Sequence, residues 1–373
     1  MASWDVIVIG AGGVGSAALM HLAKAGHRVL GIDRYPPAHD QGSSHGKTRV
    51  IRQAYFEHPS YVPLLRRAYD LWDDLEESVD RRLFLRTGLV EMGPIDGVVI
   101  PGILESAKEY DLPIEHLHAN EAMSRWPGLG GEEEWQAVIE KNAGFLRVEA
   151  CVEAHLELAK KLGAELQHSL EVKSWRSDGD GVEVQTTNGV ERAARLLIAS
   201  GPWSHKVVRE LQPQLRILLK QQYWMQPSQD GMDVEDGFPC FFHETPEGFF
   251  YGFPAMGESG VKVARHSGGI EIDSPTPDKQ VDEDDRRSVE TYVRKYMPGV
   301  QPQLLSQAKC YYSTTPDEHF IVDRLPDNQN VTVVAGLSGH GFKFTSVLGE
   351  IAGRLAVGDQ PGYDIDLFRL SRF

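Results

Sequence analysis

The chain begins with an apolar run that does not alternate. Residues 5 to 9 read DVIVI, and consecutive β-branched positions predict a strand buried on both faces. The glycine-rich break GAGGVG follows, then a stretch that packs Ala17, Ala18, Leu22 and Ala25 closely along a helix. HRVLGID predicts a second strand ending at Asp33. YVPLLRRAYDLWDDLEE sets Leu64, Ala68, Leu71 and Leu75 on one face of an amphipathic helix. FLRVEACVEAHLELAKKLGAEL predicts another helix. Two short strands then turn at Gly179 and Gly181, another turn follows at Asn188-Gly189, and RLLIAS runs into Gly201-Pro202. Near the C-terminus VTVVAG leads through Gly339 and Gly341 into a second helix-like run.

The rest of the chain has a different texture. Residues 81–144 carry proline-containing turns and the stretch RWPGL, while LKQQYWMQ, GFFYGFP and GVKVARH read as strands of a mostly antiparallel sheet. The expected fold class is α/β, or more fully a two-domain α+β arrangement. A Rossmann-type dinucleotide domain is assembled from residues 1–80, 145–210 and 320–373. A substrate domain on a mostly antiparallel sheet is assembled from residues 81–144 and 211–319.

Composition narrows the function. A chain of 373 residues with 41% hydrophobic content supports a large core. A formal charge of −16 repels phosphate backbones and argues against a nucleic-acid partner. Three cysteines, Cys151, Cys240 and Cys310, give neither a disulfide framework nor a metal site. No apolar run approaches the ~20 residues of a membrane span, and a reducing, cytoplasmic setting fits.

Gly10, Gly12 and Gly15 form G-x-G-x-x-G between a predicted strand and a predicted helix, with Asp33 about 20 residues on. In that context the glycines let backbone approach a pyrophosphate at a helix N-terminus, and Asp33 accepts from a ribose. The pattern alone leaves FAD and NAD open. After Asp33, His45, Lys47, Arg49 and Arg52 crowd into eight residues of an acidic protein. They suit either a solvated loop or the holding of an anion or an electron-rich ring. In GVKVARH, period two sets Lys262, Ala264 and His266 on one face, which pattern alone reads at least equally well as solvated. Cys310 shares a strand face with Tyr312, and a lone cysteine there reads first as a small apolar residue.

GSSHGKTRVIRQAYFE, YYSTTPDEHFIVD and LSGHGFKFTSVLGEIAGRLA together resemble the monomeric sarcosine oxidase family, which includes N-methyl-L-tryptophan oxidase. The resemblance runs over essentially the whole chain. It implies a monomeric flavoprotein oxidase with FAD joined covalently through Cys310. The reaction it implies oxidises an N-methyl amino acid with O2 and water to the primary amino acid, formaldehyde and H2O2.

The same resemblance implies the residue roles. Arg52 and Lys343 hold the substrate carboxylate, and Lys262 activates oxygen. His266, Tyr251 and Tyr312 line the substrate side of the flavin, with His45 and Arg49 beside its ring. Ser43, Thr48, Gly201, Gly339, Gly341 and, a second time, Lys343 belong with the cofactor-binding set, and Glu57 with the shell around it. No metal is implied. Two departures stand out: Lys47 replaces an acid in SSHGKTR, and Phe242 stands where sarcosine oxidases carry a methionine. The remaining substrate choices are sarcosine, N-methyltryptophan and a cyclic imino acid such as pipecolate. An NAD-dependent dehydrogenase and a non-catalytic flavin-binding subunit are the alternatives from other classes.

Overall fold

The computed structural model describes residues 4–276 and 282–373. The non-alternating start forms the strand Trp4–Ile9 at the middle of an eight-stranded sheet. It runs parallel to Val29–Ile32 on one side and to Gly189–Ile198 on the other. Neighbours on both edges and helices over its face explain why Val6, Ile7 and Val8 are fully buried. Glu165–Gln167 extends the sheet beyond Val29–Ile32, and Asn328–Ala335 lies parallel to Gly189–Ile198. The hairpin Val172–Asp178 with Gly181–Thr186 closes one edge. The strands of this sheet thus come from residues 4–32, 165–198 and 321–335.

The helix Gly13–Lys24 packs against both Thr345–Val357 and Val148–Lys161. It crosses the former closely, since a Cβ at Gly349 would lie 2.5 Å from the Cβ of Ala17. The amphipathic helix Val62–Val79 buries Leu64, Leu65, Ala68, Leu71, Trp72 and Leu75, each leucine contributing about 2 kcal/mol by removal from water. FLRVEACVE is not helical throughout. Gly144–Arg147 is a strand, and the helix begins at Val148. Phe145 and Leu146 are taken up by a small sheet with Thr48–Ile51 and Phe84–Leu85.

A nine-stranded sheet forms the other layer. Arg216–Pro227 pairs along its length with Val300–Thr314, and Val261–Arg265, Gly248–Phe253 and Cys240–Thr245 follow in antiparallel order. The pattern of antiparallel pairing breaks once, where Cys240–Thr245 runs parallel to Leu89–Gly93. The charged, amphipathic helix Glu283–Tyr296, which the strand pattern did not predict, buries Val289, Tyr292 and Val293 against this sheet. No helix among the described residues is long and apolar enough to cross a membrane.

Candidate active site

The glycine fingerprint sits where the first strand meets the first helix. Gly10 has φ +93°, and a Cβ there would lie 2.5 Å from the carbonyl oxygen of Ala199. At Gly15 a Cβ would lie 1.7 Å from the carbonyl oxygen of Gly10, so no side chain fits either position. The Asp33 carboxylate accepts from the backbone N–H of Ala11 at 2.7 Å and of Tyr35 at 2.9 Å. It therefore fastens the turn, and its remaining lone pairs are free to serve a ribose.

A cavity of about 800 Å³ opens beside this turn. Gly10, Gly12, Asp33, Ser43 and Arg49 line one part, and Gly201, Cys310, Tyr312, Gly339 and Gly341 another. Gly15, Thr48 and Lys343, expected with the same set, stand back from that lining. The N-cap residue of the helix Gly13–Lys24 is Gly12, which has no side chain to cap it. Ser44 Oγ accepts from the N–H of Gly13 at 3.1 Å, and the positive helix end faces the cavity, where it suits an anion. Thin glycine walls, a helix N-terminus at the cavity and a carboxylate closing the second strand fit a dinucleotide such as FAD.

At the far side of the cavity Arg49 donates to Cys310 Sγ at 3.1 Å and to the carbonyl oxygens of Ser43 and Thr48 at 2.9 Å. Burial opposes the charge of Arg49, but Cys310, Tyr251 and Tyr312 outweigh it and raise the pKa. His45 is pushed down to about 4 by burial and by Arg49, so its ring is neutral. Lys220, cross-strand neighbour of Cys310, donates to the carbonyls of Ser267 and Gly268 at 2.7 and 2.9 Å. Burial brings it down to about 8.

Lys262 is not on a solvated face: it is 1% exposed, as both faces of its strand are covered. Its ammonium donates to the Gly46 carbonyl at 2.6 Å, the Thr48 carbonyl at 3.0 Å and the Thr48 hydroxyl at 3.2 Å. Its cross-strand neighbours Trp224 and Phe253 set their rings 5.2 and 4.9 Å from the nitrogen. Burial, reinforced by Arg49, drives its pKa well down. Thr48 thus serves Lys262. The strand ends at Arg265, and His266 lies just beyond it, its Nδ1 3.2 Å from the Tyr312 hydroxyl. Burial takes His266 to about 3.

A second cationic cluster joins residues almost 300 positions apart. The guanidinium of Arg52 lies 4.7 Å from the ring centroids of both Tyr55 and Phe56, and the Lys343 ammonium 5.0 Å from that of Tyr55. Lys343 also donates to the His340 carbonyl at 2.8 Å. Arg52 donates to Glu57 at 2.8 Å and lies 3.4 Å from Glu91. Burial and the nearby Arg52 bring Lys343 down to about 7, against the opposing pull of Glu57 and Glu91. Phe242 stands beside Glu91 in register, and Tyr251 beside Phe242 on the next strand. Phe242 also meets Phe56, Phe249 and His266 at centroid distances of 5.4, 5.9 and 6.0 Å.

Tyr55, Glu91, Lys220 and Trp224 escaped the sequence reading. Tyr55 alone carried a usable signal, lying in the quoted motif that contains Arg52. Lys47, whose charge reversal drew notice, has φ +68° and holds its ammonium 5.3 Å from the Trp224 ring centroid.

Comparison with known proteins agrees with this geometry. Residues 5–355 match the model of the FAD dependent oxidoreductase family. Monomeric sarcosine oxidase of Streptomyces avermitilis is 40% identical, covering 98% of this chain and 97% of its own. N-methyl-L-tryptophan oxidase of Citrobacter koseri is 39% identical, covering 99% of both. Among solved structures, NikD, an unusual amino acid oxidase essential for nikkomycin biosynthesis, superposes with a TM-score of 0.85 at 25% identity, covering 99% of this chain and 98% of its own. The dinucleotide left open by the glycine fingerprint is therefore FAD rather than NAD. The chain belongs to the FAD dependent oxidoreductase family, alongside the monomeric sarcosine oxidases and N-methyl-L-tryptophan oxidases that its motifs resemble.

Proposed function

We propose that the protein is an amine-oxidising flavoenzyme that demethylates an N-methyl amino acid, with FAD attached through Cys310 and O2 as the final acceptor. The observation that carries this reading is the convergence of Arg52 and Lys343 on Tyr55, next to the cavity edged by Arg49 and Cys310. Two cations from opposite ends of the chain suit a carboxylate, and Arg52 can engage it bidentately. FAD, when bound, supplies the two-electron acceptor for the N-methyl carbon.

The chain's own residues do the rest. Arg52 and Lys343 fix the carboxylate and so orient the amine. Phe242, Tyr251, Tyr312 and His266 wall the amine side and exclude water. His266 stays neutral and so adds no charge to repel a protonated amine. The substrate loses two electrons and two protons to become an imine, and water splits this into formaldehyde and the primary amino acid. Lys262, whose nitrogen makes three hydrogen bonds to oxygen acceptors as an ammonium does, offers its charge to the anion formed as O2 takes up electrons on its way to H2O2. Arg49, bonded to the Cys310 sulfur, holds that sulfur in place for bond formation to the cofactor. Gly10, Gly12, Ser43, Gly201, Gly339 and Gly341 are the proposed cofactor contacts, and a monomer is the proposed state in solution.

The test has two parts. Acid-precipitated protein should keep its yellow colour in the pellet, and Cys310→Ser should release it to the supernatant. A colourless wild-type pellet would falsify the covalent link. A peroxide-coupled assay with sarcosine, N-methyltryptophan and pipecolate should then give peroxide and, with the first two, formaldehyde. No peroxide from any of the three would sink the substrate class.

A further inference from the structure

Glu91 lies in the strand Leu89–Gly93, beside Phe242 in register, and is 1% exposed. Its Oε1 has no hydrogen-bond partner, and neither has Nε of Arg52, although the two are 3.4 Å apart. On the other side, Glu57 takes a well-formed hydrogen bond from Arg52 Nη2 at 2.8 Å. The guanidinium is thus bracketed by two carboxyl groups, one firmly bonded and one not. Glu140, on the neighbouring strand, is engaged elsewhere by the backbone N–H groups of Gln53 and Ala54.

Counting charges exposes a difficulty. Arg52 and Lys343 face Glu57 and Glu91 away from water. A third carboxylate, from a substrate, would set three anions around two cations. Buried charge without compensation is not tolerated when a proton can remove it. Glu57 is the poor candidate for that proton, because Arg52 holds its carboxyl below the usual range against the effect of burial. Glu91 is the good one. Burial raises it to about 8, Arg52 and Lys343 pull the other way, and Glu140 and Glu57 push it further up.

We propose that Glu91 is a positioning residue for the carboxylate clamp and takes up a proton from solvent when a carboxylate enters. This rests on the clamp reading of Arg52 and Lys343. With the clamp empty, Glu91 is protonated below about pH 8 and ionised above it. A bound carboxylate disfavours the ionised form further, so above that pH the ligand draws in a proton. The neutral acid then sits against Arg52 without competing for its charge.

Acetate, a carboxylate without an amine, is the probe. Its binding to the holoenzyme is measured calorimetrically in buffers of different ionisation enthalpy. At pH 8.5 the wild type should take up protons, and Glu91→Gln should bind acetate with the uptake lowered by about half a proton or more. Equal uptake in both proteins overturns the role of Glu91 while leaving the clamp standing. Acetate that fails to bind the wild type removes the clamp and this inference together. Should Glu91→Gln fail to fold, the wild type decides alone. Lys343, at about 7, accounts for a slope of log Kd on pH of about one, and Glu91 should carry it above that value past pH 8. A slope that stays at about one or below overturns the proposal.

Discussion

Two buried lysines in this protein are stabilised in opposite ways. Lys262 is held by neutral partners, three oxygens and two aromatic faces. Lys343 belongs to a cluster in which Arg52 is paired with the Glu57 carboxylate and lies beside Glu91. A buried cation whose hydrogen-bond partners are all neutral is costly, on the order of several kcal/mol, and its field stays available to any anion that forms nearby. A cation paired with a carboxylate has its field partly cancelled, and a ligand carboxylate enters by rearranging that pair. The first arrangement suits a charge that appears only during reaction, the second a charge that arrives with the substrate.

The sharpest way to break this contrast is Lys262→Met. Reoxidation of the reduced enzyme by O2, followed by stopped flow, should slow by about 10²- to 10³-fold, with anaerobic reduction by substrate little changed. Equal losses in both halves would remove the oxygen role. Lys343→Met should act on the other side only. KM for the carboxylate substrate should rise by about 10- to 100-fold, as expected for losing one charge-assisted hydrogen bond, with kcat changed far less. A finer probe is Thr48→Val, which deletes one of three acceptors from Lys262. Reoxidation should slow about fivefold, the effect of one ordinary hydrogen bond, and KM should not move. The smallest expected effect concerns His266. Burial keeps it neutral above about pH 3, so the pH profile of kcat between 5 and 8 should contain no limb from its titration. A limb near pH 6.5 that vanishes in His266→Gln would contradict the closed, charge-free wall assigned to it.

What the sequence disclosed follows from where information is local. The strand–glycine–helix unit at residues 5–33 is legible because sterics dictate it: Gly10 and Gly15 admit nothing larger. Cys310 and Lys343 were reached through motif resemblance, since pattern alone reads the first as a small apolar residue and the second as a stray cation. Glu91 was invisible. In LVEMG it occupies the alternate position that normally faces water, yet all five residues of that strand are buried, so alternation holds no information there. Lys262 failed the same test, because covering layers on both sides of the sheet turn an apparent outer face inward. The Lys343–Tyr55 contact spans 288 positions, a pairing that no local window contains.

The loop that receives Lys262 is itself clamped from the opposite layer. Glu149, in the first turn of the helix Val148–Lys161, accepts from the backbone N–H groups of Gly46 and Lys47 at 2.7 and 3.1 Å. A Cβ at Gly46 would strike Gln222 Oε1 at 2.2 Å, so this loop fits closely between a helix of one layer and a strand of the other. The carbonyls that organise the ammonium are aimed only once both layers have met. On the proposed chemistry, a half-assembled chain has no ordered charge to offer oxygen.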